Sequence, residues 1–472
     1  MRFRTTLILA LVCAGLGAYL YFVEFERAEE EGKKKTLFTF EANDVTGVTL
    51  TYPDREIALK RADGAWRLAA PIEAAADDTA VDNLVRAIAD CEVKKSLDDT
   101  PDDLAPFGLD KPKVTVKVAL KDRELPAVRV GKTSPVGYST YIQRADEPKI
   151  YLTTSAFQSG MDKQVKDLRS KTIVDFKDDD VRRITVAKGG TTLALVKTED
   201  KWSIEQPAAY AADESAVRGF LSSLRAMRAK DFPSEDDKDL PAFGLDAPRT
   251  SVVLAVGADG TNTQILFGKE AEDKSVYVKV GNRPTVFTIG DWAYRDVDKG
   301  LNDFRDKSLL VAAADDVRGL ELVHDDGERV VLSRDEAGKW KIEGQEGAPE
   351  DMSVDRFRDD LLALKGYEIV ADAPADLEQF GLAKPALVVT ARGKDGAVLG
   401  TVRFGSHTPA PPATEYTAQR EGQNAVLHIR DYQFKRIDKR AVDFLPKPTP
   451  TATPEGQAAA ATPETGGEPA LQ

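Results

Sequence analysis

The stretch Asp103–Pro112, DLAPFGLDKP, is written twice more in this chain, as DLPAFGLDAP at 239–248 and as DLEQFGLAKP at 376–385. Its phenylalanines, Phe107, Phe243 and Phe380, lie 136 and 137 residues apart. Other landmarks keep that period. Trp66, Trp202 and Trp340 sit in GAWRL, DKWSI and GKWKI, and Asp44-Val45, Asp180-Val181 and Asp316-Val317 each open a strand-like run. Gly131, Gly268 and Gly405 close VRVG, ILFG and VRFG. The period far exceeds the roughly 20–50 residues of solenoid repeats. It marks three tandem domains, at 36–176, 177–311 and 312–446, and a length of 472 residues suits three domains of about 150 each.

Each copy reads alike. Alternating runs such as VTGVTLTY and REIALKR predict strands that end at the tryptophan. A helix follows, because Val81, Leu84, Val85 and Ile88 fall at i, i+3, i+4, i+7. Val217, Phe220, Leu221 and Leu224 repeat the stripe, and Val354, Phe357 and Leu361 keep most of it. Asp77, Asp78, Thr79, Asp213 and Ser215 are the expected caps. The repeated phrase predicts a short helix starting at Pro101 and Asp102, with Leu104 and Phe107 as its apolar contacts. Gly108, Gly244 and Gly381 would stop it in the left-handed conformation, Leu109 would pack back, and the proline three residues on blocks continuation. VTVKVAL, VRVGK, STYIQRA and KIYLTTS then read as strands, as do SVYVKV and TVFTIG around the turn GNRP. Helical pieces close each copy in VKDLRSKTIVDF, LNDFRDKSLLV and IDKRAVDF. Strands and helices in blocks favour an α+β fold of about 136 residues, mostly antiparallel sheet plus one main amphipathic helix.

Composition sets the class. With 42% hydrophobic and 31% charged residues the chain is ordinary globular protein, and a net charge of −14 without a basic block argues against nucleic-acid binding. Arg2 and Arg4 precede 19 uncharged residues, Thr5 to Val23, which as a helix span about 28 Å, near the thickness of a bilayer core. Tyr19, Tyr21 and Phe22 suit its outer interface, and Glu24, Glu26, Glu29, Glu30 and Glu31 follow. A cleaved signal peptide carries a shorter apolar region of roughly 7–15 residues. The expectation is an uncleaved anchor within residues 1–35, N-terminus cytoplasmic and the domains periplasmic. Cys13 and Cys91 fall on different sides of this plan, so no disulfide framework is expected, and the Pro/Thr/Ala-rich tail 447–472 reads as disordered.

Motifs for chemistry are sparse. The run Gly131–Pro135, GKTSP, lacks the upstream glycine of a phosphate loop, having Pro126 there, and reads as a strand-end turn. Asp98, Asp99, Asp102 and Asp103, and Glu235, Asp236, Asp237 and Asp239, lack calcium-loop spacing and read as solvated helix-start carboxylates. His324, His407 and His428 lack zinc-ligand spacing, and neither Gly-x-Ser-x-Gly nor Ser-x-x-Lys occurs. Cys91 and the three tryptophans read as core. No catalytic, cofactor-binding or metal-ligating residue is assigned, and the chain is read as no enzyme.

The tryptophan strand, the FGL-x-x-P phrase, VGKTSPVGYSTYIQRADEPKIYL (130–152) and DLRSKTIVDF (167–176) together resemble bacterial domain-of-unknown-function family 4340. Copy one matches most closely, and copy three departs at FGSHTPAPPATEY (404–416). The resemblance implies a membrane-anchored envelope protein, often encoded beside ABC-type transporters similar to those of gliding motility, and it carries no catalytic residues. The expected function is a non-catalytic binding or scaffolding module for a membrane transport complex. Alternatives are an extracytoplasmic glycan or peptide receptor and a hydrolase with a dispersed site. The copies differ most at one corner between two strands, where partner contacts are expected around Ser139, Ser275 and Thr414.

Overall fold

The structure is a computed structural model that describes residues 35–97, 102–135, 137–257, 260–281, 283–405 and 415–446. The expected membrane segment, Cys13, Asp98, Asp99, Pro101, His407, Thr414 and the tail 447–472 lie outside these residues. Among the described residues no helix is long and apolar enough to cross a membrane.

The first repeat begins with β1 (Val45–Thr51), β2 (Glu56–Ala62), β3 (Ala65–Ala70) and β4 (Ala74–Ala75), then α1 (Asp78–Ala89) and the short β5 (Lys95–Ser96). After the DLAPFGLDKP phrase come β6 (Val114–Leu120), β7 (Val128–Thr133), β8 (Ser139–Arg144), β9 (Ile150–Thr154), α2 (Ser155–Met161) and α3 (Val165–Leu168). These strands form one antiparallel sheet in the order β4-β3-β2-β1-β6-β7-β8-β9-β5. Asp77 caps α1 by accepting the N–H of Ala80. The stripe Val81, Leu84, Val85 and Ile88 packs on the sheet among Val48, Leu50, Ile57, Leu59, Trp66, Val116 and Val118. That burial, at about 25 cal/mol per Å² of apolar surface, drives helix onto sheet.

The chain divides into two compact units, one reaching Thr192 and resuming over Gly219–Asp298, the other comprising Leu193–Arg218 and all from Lys299. The second repeat contributes to both. Its elements are β10 (Val181–Lys188), β11 (Thr191–Thr198), β12 (Lys201–Gln206), β13 (Tyr210–Ala211), α4 (Glu214–Ala226), β14 (Asp231–Ser234), β15 (Thr250–Val256), β16 (Thr261–Glu270), β17 (Val276–Val280), β18 (Val286–Ile289), α5 (Asp291–Val297) and α6 (Leu301–Phe304). In the first unit they run β10-β15-β16-β17-β18-β14, and in the second β11-β12-β13. The third repeat has β19 (Gly319–His324), β20 (Arg329–Arg334), β21 (Trp340–Ile342), α7 (Asp351–Leu362), β22 (Glu368–Ala371), β23 (Leu387–Arg392), β24 (Val398–Phe404), β25 (Glu415–Arg420), β26 (Val426–Arg430) and α8 (Asp431–Ile437). Its sheet order is β21-β20-β19-β23-β24-β25-β26-β22, which is the first repeat's order without a counterpart of β4. The α+β reading with mostly antiparallel sheet therefore holds. The seven-residue helices α2, α5 and α8 were not expected.

The repeated phrase is shorter than predicted. It forms single 3₁₀ turns at Ala105–Phe107, Leu240–Phe243 and Glu378–Phe380 rather than a helix from Pro101. Its opening aspartate caps each turn: Asp103 accepts from Ala105 N at 2.9 Å, Asp239 from Ala242 N at 3.2 Å and Asp376 from Glu378 N at 2.8 Å. Gly108, Gly244 and Gly381 take φ of 67°, 64° and 67°. The leucine after each donates its N–H five residues back, from Leu109 to Leu104 O, Leu245 to Leu240 O and Leu382 to Leu377 O, which satisfies a carbonyl of the turn. The turn then lies flat on the sheet. A Cβ at Gly131, Gly268 or Gly405 would stand 2.3, 2.2 or 2.0 Å from the carbonyl oxygen of Phe107, Phe243 or Phe380. The strand glycines are thus the landing places of the phrase.

The tryptophans tie strand to helix. The Trp66 N–H donates to Asp78 and its indole Nε1–H to Asp82 at 3.0 Å; Trp340 repeats this with Asp351 and Asp355. Trp202 N–H donates to Glu214, while Arg218 stands at the position of Asp82 and Asp355. Trp66 and Trp340 are almost fully buried.

Two substitutions separate the landing-place argument from a general dislike of losing glycine. Gly268→Ala should lower stability in urea unfolding by about 1–3 kcal/mol, the cost of overpacking. Gly219→Ala, on α4 with open space around the new Cβ, should be neutral or stabilising.

Candidate functional site

The segments that leave one repeat and enter the next, LRSKTIVDF (168–176) and FRDKSLLV (304–311), each hold one arginine at the same place. Arg169 bridges Ala76 of the first repeat while Thr172 bridges Arg228 of the second; Arg305 and Ser308 bridge Ala212 and Lys365 in the same way. Both arginines are buried, at 6% exposure. The matching position after Phe444, where no further repeat follows in the described residues, is Leu445. The arginines are therefore joint residues, and neither was singled out from the sequence.

At the first joint, Arg169 sets both terminal nitrogens on the Glu235 carboxylate, with Nη2 at 2.8 Å from Oε2. Its guanidinium lies 3.9 Å from the centre of the Phe232 ring, and Phe232 meets Phe287 edge-on at 5.8 Å. Arg283 closes the site by donating to Ile173 O at 2.6 Å and covering Phe287. Burial, and then the charge of Arg169, push Arg283 below the ordinary arginine range.

The second joint has the same plan with smaller parts. Arg305 lies 4.0 Å from the Tyr210 ring centre and donates from Nη1 to Asp372 Oδ2 at 2.7 Å. In the register where β14 and β18 carry Phe232 and Phe287, β22 and β26 pair Ile369 with Leu427. Two aromatic rings are thus replaced by aliphatic side chains, and a cavity of about 360 Å³ opens, lined by Tyr210, Arg305, Ile369, Asp372, Asn424 and Leu427 among others. Ala373, also on the lining, holds φ of 53°, a left-handed strain uncommon for alanine. Nearby, burial opposes the Asp213 carboxylate's charge, yet hydrogen bonds from Lys365, Ser215 and Ala216 hold it well below the usual carboxylate range. Burial pushes Lys307 below the ordinary lysine range, with Arg305 and Lys365 adding to the effect and Asp303 and Asp213 opposing it.

The residues weighed from sequence lie elsewhere. Gly131 to Thr133 form the end of β7, whose register against β8 shifts between Val130 and Thr133, and the strand ends there, with Ser134 N–H donating to Ser139 O. The second acidic cluster is not simply solvated: Glu235 holds Arg169, Asp237 lies 3.4 Å from the buried Lys279, and Asp239 caps the turn. Ser139 and Ser275, expected at an exposed corner, are buried. Ser139 opens β8 opposite Thr154, and Ser275 turns its hydroxyl and N–H onto Asp273, whereas the neighbouring Tyr138 is exposed. His324 meets Asp438 at 3.1 Å, and His428 lies 3.6 Å from Glu368. Burial pushes the Cys91 thiol up to about 12. Among the described residues no group of three or more His, Cys, Asp or Glu is placed to hold a metal ion.

A family model described as Domain of unknown function (DUF4340) matches residues 66–208, 202–355 and 340–448, each match opening on the tryptophan of its repeat. The chain belongs to the DUF4340 family. No curated protein sequence matches it. Among solved structures, a DnaN sliding clamp (DNA polymerase III subunit beta) from Pseudomonas aeruginosa is 8% identical, with 84% of this chain and 94% of that one covered and a TM-score of 0.13. A putative DNA polymerase III beta subunit from Eubacterium rectale is 10% identical, with 84% and 92% covered and the same TM-score of 0.13. Likenesses at that score carry no argument about fold or function.

The two joints of this DUF4340 chain should respond oppositely to substitution. Arg169→Met removes a paired, ring-stacked guanidinium and should cost about 1.5–3 kcal/mol in urea unfolding, the worth of charged hydrogen bonds. Leu427→Phe, which restores the first joint's ring in the second, should raise the thermal midpoint, because it fills a void rather than crowding a packed core.

Proposed function

We propose that this DUF4340 protein is a non-catalytic binding module of the cell envelope, held by its N-terminal apolar segment, that scaffolds a membrane transport complex. The anchor reading rests on the charge-free run Thr5 to Val23 and the transporter on the family resemblance. The observation that carries the binding role is the difference between the joints. Residues that serve only to hold repeats together are expected to pack alike at both, whereas at the second joint the ring on the arginine comes from Tyr210 and the positions of Phe232 and Phe287 carry Ile369 and Leu427 beside a cavity. A receptor for a small extracytoplasmic ligand is the second reading, favoured by a cavity whose volume and place between repeats match small-molecule sites of about 300–1,000 Å³.

A photo-crosslinker placed at Asn424 in native membranes should capture a transport protein, and Leu427→Phe should reduce that capture. Capture from Tyr138 with silence at Asn424 would move the contact to the corner loop, and turnover of a small substrate by the purified chain would overturn the non-catalytic reading. A periplasm-active reporter fused after residue 446 should be active, and a cytoplasm-only reporter there silent.

A further inference from the structure

A guanidinium offers five N–H donors in one plane. At the first joint the two terminal nitrogens of Arg169 meet the two oxygens of Glu235, the side-by-side arrangement in which arginine holds a carboxylate best. At the second joint the matching acid is Asp372, one methylene shorter, and it reaches only Nη1. The remaining contact of that nitrogen is Asn302 Oδ1 at 3.4 Å. No acceptor among the described residues meets Nη2 or Nε of Arg305, although the side chain is only 7% exposed. The arginine lines the cavity, and beside it the space of Phe232 and Phe287 is left open by Ile369 and Leu427. What is missing at the second joint, relative to the first, is a second carboxylate oxygen and a volume of apolar atoms.

From this we infer that the second joint binds a small carboxylate bearing an aliphatic substituent, with Arg305 as its anchor. The carboxylate takes the place on the guanidinium that Glu235 holds at the first joint, and the aliphatic part lies against Ile369, Leu427 and Ala211. The Tyr210 ring covers one face of the guanidinium, so an incoming oxygen approaches in its plane, where a carboxylate is the best match. Asp372, half-exposed, is free to turn outward and yield its place. The carboxylate of Asp306, also on the lining, is already occupied by the N–H and hydroxyl of Ser308. This inference rests on the reading of the second joint as a binding site and narrows it to one ligand chemistry, whether that carboxylate is a free metabolite or the end of a peptide chain.

The test uses the full chain labelled with ¹⁵N-arginine, titrated with sodium propionate, with propionamide, and with sodium chloride at matched ionic strength. Propionate should shift one arginine Nε–H resonance saturably, and Arg305→Lys should abolish the shift. Leu427→Phe, which keeps the arginine but fills the cavity, should weaken binding by about tenfold or more, equivalent to about 1.4 kcal/mol. N-acetylalanine behaving like propionate would point to a peptide end, and propionate alone to a free acid. Equal binding of propionamide, a shift that survives Arg305→Lys, or no saturable shift would each overturn the carboxylate inference. Were propionate silent while Leu427→Phe still reduced crosslinking at Asn424, the joint would remain a binding site for other chemistry. Propionate binding without any capture at Asn424 would instead remove the partner reading and leave this inference standing.

Discussion

The contact between the carbonyl of a turn phenylalanine and a strand glycine fixes the frame of every repeat. Phe107, Phe243 and Phe380 each set that oxygen where a side chain on Gly131, Gly268 or Gly405 would stand, so the turn lies directly on the strand. The chain has just left the helix layer and must re-enter the sheet beside its first strand, and the left-handed glycine turns it there. The leucine that follows is buried in all three copies and anchors the turn on its other side. In two copies the phenylalanine ring also meets a tyrosine of the next strand, Phe107 with Tyr141 and Phe243 with Tyr277, each at 5.0 Å. In the third the Thr417 hydroxyl donates to the Phe380 carbonyl instead. Different side chains serve one backbone geometry.

With the frame fixed, the linkers become the variable part of the molecule. Each passes a buried arginine between the repeats it connects, and a buried charge is tolerated only when its donors are occupied. Glu235, Phe232 and Arg283 occupy the first joint densely. Asp372, Ile369 and Tyr210 occupy the second with a gap. The same construction thus carries a bidentate, ring-stacked ion pair in one place and borders a cavity in another, and the proposed binding role rests on that difference.

Much of the frame was legible in the sequence because it is local or periodic. The stripe Val81, Leu84, Val85, Ile88 announces a helix face, and Gly108 before a leucine announces a left-handed stop. The strand glycines were visible as landmarks, but their partner is more than twenty residues away, and no local pattern links Gly131 to the Phe107 carbonyl. Ser139 was misplaced although the strand STYIQRA was read with its correct start: Ser139 and Thr140 are both buried, so this end of β8 is covered on both faces, which the sequence pattern does not show. The joint arginines did leave a signal: Arg169 and Arg305 recur one period apart, and Leu445 stands in their place where the repeats end. Reading it required knowing that the linker belongs to two repeats at once. The loss of aromatic bulk at Ile369 and Leu427 needed the strand register before it had meaning.

One frame is used three times in this chain. Amide hydrogen exchange at Leu109, Leu245 and Leu382 tests it most directly, since each N–H is held by the turn's own carbonyl and each residue is buried. All three amides should exchange slowly, opening only with the sheet of their own repeat. Exchange at the rate of an open chain at any one of the three would show that the turn does not lie on its strand there, and would contradict the shared frame.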